Sequence, residues 1–183
     1  MRLTLITVCL LLAGCAKKPL PMLGDVPAFQ LTDQLGRPFS SGAALNGHVW
    51  VADFVFTNCE GPCPRMSSHM KSLQAKTGAD VKLISFTVDP ARDTPAVLAD
   101  YAKKFDCDSK RWLLLTGDVA TLNKLDQDAF KLGSIGDTDD IEHSTDFALV
   151  DKKGHIRGFY GISAGDPVAN IARDAARLEQ EPS

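Results

Sequence analysis

The stretch HVWVADFVF, His48 to Phe56, runs directly into TNCEGPCP, Thr57 to Pro64. The first half is rich in valine and aromatic residues and nearly all apolar, as a strand buried on both faces of a sheet has to be. The second half sets Cys59 and Cys63 four positions apart and closes on a proline. After Pro64 the pattern turns helical, with Met66, Met70 and Leu73 at helical spacing and Gly78 as a stop. Pro62 disfavours helical geometry at Gly61, and Pro64 does the same at Cys63. The helix is therefore expected to open at Pro64 with Cys63 as its N-cap. A sulfur there sits at the positive end of a helix, where unpaired backbone N–H groups favour thiolate over thiol.

Working outward, Val81 to Val88 reads as a second strand. Thr94-Pro95 supplies an N-cap and a proline at the first helical position, and Val97, Leu98, Tyr101 and Phe105 form one face of the helix that follows. Trp112 to Leu115 is a third strand, and Asp118 caps a helix reaching about Lys131. A polar loop, GSIGDTDDIEHST, leads to Phe147–Val150 and Ile156–Tyr160, which flank the hairpin turn Asp151-Lys152-Lys153-Gly154. Asp166-Pro167 starts the last helix. Strand and helix thus alternate three times before a hairpin and a final helix. This order argues for a largely parallel α/β sheet covered by helices, with an antiparallel edge added at the end. It is compatible with a thioredoxin-like fold, although alternation by itself does not separate that fold from other three-layer α/β folds.

The bulk properties agree with one domain. The chain has 183 residues, 44% hydrophobic and 23% charged, with a net charge of -3 and no basic run, so the footprint of a nucleic-acid binder is missing. No repeat or low-complexity tract appears. The opening MRLTLITVCLLLAGC places one arginine before an apolar run from Leu3 to Leu12, and Lys17 and Lys18 cut that run well short of the roughly 20 residues a membrane span needs. It reads as an export signal, and Leu12-Ala13-Gly14-Cys15 resembles a bacterial lipobox, in which the chain is cut before the cysteine and that cysteine is lipidated. Three segments are expected: a lipoprotein signal peptide over 1–14, lipidated Cys15 and a proline- and lysine-containing tether over 15–23, and a thioredoxin-like domain over 24–180. The mature protein is then exported and held at a membrane, facing the periplasm or another extracytoplasmic space.

Of five cysteines, Cys9 leaves with the signal and Cys15 is blocked, so Cys59, Cys63 and Cys107 remain. In an oxidising compartment disulfides persist, but three thiols cannot all pair within one chain. Thioredoxin-type motifs have two residues between their cysteines; this one has three. The longer loop leaves three readings open: a redox couple, two sulfur ligands for a metal, or an inert structural disulfide. Metal binding calls for a third donor. His48 starts a strand, His155 belongs to the hairpin, and His69 lies six positions past Cys63, nearly on the opposite side of its helix. His143 ends the acidic loop just before a strand, at the edge where loops of such a sheet meet; a solvated loop histidine is the bland alternative. Two thiolates and an imidazole form a soft, low-coordinate set suited to copper, above all Cu(I), whereas zinc calls for a fourth ligand. Met66 and Met70, beside Leu73, read as core rather than as thioether ligands.

Three pieces, FTNCEGPCP, SFTVDPARDTP (Ser85 to Pro95) and HSTDFALVDKKG (His143 to Gly154), stand in the order found in the Sco/SenC copper proteins, and the chain resembles that family across nearly its whole domain. The resemblance implies a thioredoxin-like fold in which Cys59, Cys63 and His143 bind copper as Cu(I) or Cu(II), and in which the two cysteines can also oxidise to a disulfide. It implies a copper metallochaperone for the binuclear copper site of a respiratory cytochrome c oxidase. Its partners would be the copper-bearing oxidase subunit and other copper chaperones or thiol reductants, and the protein a monomer. Because some members act as thiol reductants, thiol-disulfide oxidoreductase activity toward a copper-accepting partner is the alternative. Asp89 matches a residue placed near the site, although an aspartate before proline is also a common turn residue. Cys107 lies outside the motif and reads either as a buried apolar-like thiol or as an exposed one able to form dimers.

Overall fold

The computed structural model describes residues 18–130, 145–163 and 165–182. Within them a mixed sheet of eight strands is built in the order β1-β8-β7-β4-β5-β6-β2-β3. The strands are β1 (Gly24–Asp25), β2 (Gln30–Asp33), β3 (Pro38–Ser40), β4 (Trp50–Val55), β5 (Lys82–Thr87), β6 (Trp112–Thr116), β7 (Asp146–Val150) and β8 (His155–Gly161). The helices are α1 (Ser41–Ala44), α2 (Pro62–Lys76), α3 (Pro95–Lys104), α4 (Val119–Lys124) and α5 (Pro167–Glu179), and α4 runs on into a π-helical stretch, Leu125–Phe130.

The expected parallel centre is there: β4 pairs in parallel with β5, and β5 with β6. On one side β7 and β8 extend the sheet antiparallel, with Trp50 opposite Val150 and Ala52 opposite Ala148. On the other, β2 pairs antiparallel with β6 and carries β3 by a tight turn at Gly36, whose φ of 74° suits glycine.

Because every residue of β4 is buried, the strand divides two cores. Val51 packs with Met66, Met70 and Leu73 of α2, Leu98 and Tyr101 of α3, and Ile171 and Leu178 of α5. Trp50, Ala52 and Phe54 face the other side, with Phe86, Leu122, Leu125 and Phe130. The fold is a three-layer, thioredoxin-like α/β arrangement with helices on both faces. Thr94, Asp118 and Asp166 each accept a backbone N–H in the first turn of the helix they cap, each such cap contributing about 1 kcal/mol.

Residues 18–23, part of the tether expected over 15–23, lie against the domain. Leu23 donates its N–H to the Ile156 carbonyl at 2.8 Å, and Leu20 packs on the α2/α3/α5 core. Among the described residues no helix is long and apolar enough to cross a membrane.

Candidate metal centre

Val55 of β4 and Thr87 of β5 are neighbours in parallel register. The loops leaving these two strands therefore lie side by side at one end of the sheet. The first carries Cys59 and leads into α2; the second carries Asp89 and leads into α3.

Helix α2 opens earlier than expected. Gly61 is the N-cap, Pro62 occupies the first helical position and Cys63 the second. Pro64 does not prevent this, because the N–H it lacks belongs to the first turn, where no carbonyl awaits it. Of the N–H groups that a helix start leaves unpaired, two are removed by Pro62 and Pro64, so the positive end is poorer in donors than usual.

Cys63 is 1% exposed. Burial pushes its thiol well above the ordinary cysteine range; a hydrogen bond to Cys59 and the nearby acidic groups of Cys59 and Asp53 add to this, while the Phe56 backbone pulls the other way. The thiolate expected at an N-cap is thus replaced by a protonated, buried thiol in the metal-free protein. Desolvation of the charged form outweighs a weakened helix end. Cys59 is half-buried, and both sulfurs are free thiols.

Beneath the pair lies a residue the sequence reading passed over. Asp53, the one charged residue in HVWVADFVF, is fully buried on β4. Its Oδ1 accepts from Ser85 Oγ at 2.5 Å, and Ser85 Oγ in turn accepts from Trp112 Nε1 at 2.9 Å. Its Oδ2 has no hydrogen-bond partner among the described residues. Burial raises the Asp53 carboxyl to about 7, against which the Ser85 hydrogen bond works only in part. A polar interruption in an otherwise apolar strand was the available signal.

Asp89, expected from the resemblance to lie near the site, is joined on the same loop by Asp93. Asp89 is half-buried and pairs with the Arg92 guanidinium. Asp93 is 1% exposed and ties the two loops together. It accepts from Thr57 Oγ1 at 2.5 Å, from Thr57 N at 3.2 Å and from Thr87 Oγ1 at 2.5 Å. Thr57 stands two residues before Cys59, so Asp93 positions the cysteine loop. The hint was the repeated aspartate in DPARDTP.

His143 and Cys15 lie outside the described residues. The strand that follows His143 is placed: β7 starts at Asp146 and runs antiparallel to β4, so it begins at the end of the sheet where β4 stops. The other histidines are engaged elsewhere. His69 stacks edge-on to Phe147 at 6.1 Å, His48 contacts the Asp80 carbonyl, and His155 meets Asp25. Among the described residues no group of three or more His, Cys, Asp or Glu side chains is gathered for a metal. What these residues do bring together is two soft donors, Cys59 and Cys63, at the end of the sheet where β4 stops. Cys107 is half-buried and packs against the α2/α3/α5 core, where burial raises its thiol to about 12.

The family described as SCO1/SenC matches residues 24–179. A SCO1/SenC family lipoprotein from Bacillus anthracis superposes with a TM-score of 0.78 at 37% identity, covering 86% of this chain and 96% of that one. BsSco, a Sco-family cytochrome c oxidase assembly protein with a disulfide switch, gives a TM-score of 0.77 at 32% identity over 88% of this chain and 98% of its own. Copper-bound ScoI of Bradyrhizobium japonicum gives 0.69 at 26% identity over 85% and 99%.

Proposed function

The chain belongs to the SCO1/SenC family, and we propose on that footing that it binds copper through Cys59, Cys63 and His143 and hands it to the copper-bearing subunit of a respiratory cytochrome c oxidase. The observation that carries the reading is the pairing of two free thiols, one buried and one half-buried, at the end of β4. Copper is here the cargo. Thiolates and an imidazole suit it as Cu(I) or Cu(II), and binding would displace the thiol protons that burial otherwise retains. A third ligand from position 143 is supported by the start of β7, three residues downstream, at the same end of the sheet. The copper-bound Bradyrhizobium relative supports the choice of metal.

The test is anaerobic titration of the exported domain with Cu(I), read by X-ray absorption for sulfur and nitrogen ligation. One equivalent should bind with both atom types in the shell. His143→Ala should remove the nitrogen signal and weaken binding at least about tenfold, and unchanged affinity and spectrum in that variant would refute the site.

A second reading is favoured by the two free thiols, Cys59 and Cys63, four positions apart at the start of α2, and by the disulfide switch of BsSco. Cys59 and Cys63 can reduce a partner's disulfide, losing two electrons and two protons to become a disulfide while the partner gains a dithiol. His143→Ala separates the readings, since thiol transfer to a disulfide substrate should survive it. Lipidation of Cys15 after loss of 1–14, with export to the periplasmic or extracytoplasmic side, completes the proposal. The Leu12–Cys15 sequence and the Bacillus anthracis lipoprotein support it.

A further inference from the structure

Upstream of β1 the chain is fastened rather than trailing. Arg157, 7% exposed on β8, makes five hydrogen bonds, matching its five N–H donors. Two go to the carbonyls of Pro21 and Leu20, both at 2.9 Å. The rest go to the carboxylates of Asp151 and Glu181. One turn of α5 further on, Arg177 donates to the Lys18 carbonyl. Backbone bonds from Leu23 to Ile156 and from Val26 to Gly154 close the run.

The register says which end of the molecule this is. Asp25 lies opposite His155, at the start of β8, which pairs with the end of β7 and so stands beside the start of β4. The cysteine loop leaves from the other end of β4, about 20 Å away for six residues at roughly 3.3 Å each. At the strapped end Met22 is 66% and Leu23 49% exposed, two large apolar side chains adjacent in the chain and both open to solvent. Lys153 lines the same cavity as Met22, and Lys18 and Arg177 stand at the segment's upstream end.

We propose that residues 18–25 form a strap that presses the end of the domain opposite the cysteines onto the bilayer, Met22 and Leu23 entering the interface and Lys18 and Lys153 meeting anionic headgroups, while Arg177, paired with Asp174, holds the segment in place. The proposal rests on lipidation of Cys15. Only two residues, Ala16 and Lys17, separate Cys15 from Lys18, and the three peptide steps span roughly 11 Å at most, so a lipid there leaves the strapped end no room to stand off. The cysteine loop then points away from the membrane, toward a partner that projects from it. Apolar insertion and basic attraction to anionic lipid act together at such a surface.

The experiment is hydrogen exchange on the full mature protein, lipid attached, in vesicles of phosphatidylcholine and phosphatidylglycerol and separately in detergent. In both, the Leu23 and Val26 amides should exchange at least about 100-fold more slowly than unstructured amides. Vesicles should add protection at residues 20–25 and leave residues 57–61 unchanged. Arg157→Ala should speed Leu23 exchange at least tenfold while α2 amides and vesicle attachment stay as they were. Glu181→Gln, which keeps the buried cation partnered by Asp151, should give a smaller change of the same sign. Free exchange at Leu23 in the unmodified chain overturns the strap. Vesicle protection at the cysteine loop instead of residues 20–25 overturns the orientation. Mass analysis finding Cys15 unmodified overturns the anchor and with it the membrane contact, even where Leu23 remains protected.

Discussion

At the strapped end of the sheet, the guanidinium of Arg157 is buried with every N–H donor answered. Beneath the cysteine loop, the carboxyl of Asp53 is buried more deeply still, with one oxygen held by Ser85 and the other unanswered among the described residues. Both are ionisable groups in the interior, yet one is a finished joint and the other retains an unmet demand. The difference teaches where the molecule spends stability on holding its shape and where it keeps polar groups available for chemistry. Mutation can break or sharpen that contrast from either side.

The largest effect belongs to the thiols. Cys63→Ser should abolish tight Cu(I) binding, a loss of at least about 1000-fold in competition against a copper chelator, because a hydroxyl is a poor ligand for so soft an ion. The fold should survive, since the exchanged atom is similar in size.

Next comes the joint between the two loops. Asp93→Ala strips the acceptor from Thr57 N, Thr57 Oγ1 and Thr87 Oγ1, and should cost about 3 kcal/mol in urea unfolding. Copper affinity should fall as well, because Thr57 no longer holds the start of the cysteine loop.

Asp53→Asn tests the unfinished end. The Asp53 carboxyl, raised from 3.8 to about 7, keeps its proton in the folded chain while the unfolded chain has released it. Stability from this group is therefore fully present below about pH 4, falls as pH rises toward 7, and is flat above that. The asparagine variant should lack this slope and be more stable at pH 8, by about 2 kcal/mol; parallel urea titrations at pH 5 and pH 8 measure it. An identical slope in the variant would mean that the carboxyl is ionised in place and that the contrast with Arg157 is false.

The smallest effect is kinetic. Cys59, half-buried, should react with iodoacetamide at pH 7 at least about tenfold faster than Cys63, which is both buried and protonated.

Much of this was legible in the sequence. The central strands, the helices between them and three of the helix caps follow from valine-rich runs, helical spacing and Ser/Thr/Asp placement, all of which depend on neighbours close in the chain. The short strands β1, β2 and β3 were not, because two to four residues carry no usable period and their pairing is decided by distant partners. The cysteine pair was legible from its spacing, but its protonation was not. Local position argued for a helix N-terminus, whereas burial beneath α2 and the missing donors at Pro62 and Pro64 decided the balance. Asp89 stood out over Asp93 for a related reason: adjacency to proline is visible in one dimension, and a bridge from Thr87 to Thr57 is not. The role proposed for His143 rests on its motif and on the entry of β7.

The five-bonded guanidinium also sets where the protein can be cut. Were the chain trimmed to start at Gly24, Arg157 would lose the carbonyls of Leu20 and Pro21 and retain only carboxylate partners. Exchanging two hydrogen bonds of a charged group for water costs on the order of 1–3 kcal/mol each. The smallest unit that folds without that handicap reaches back to Leu20, so a recombinant boundary drawn where the first strand begins would discard part of the domain itself.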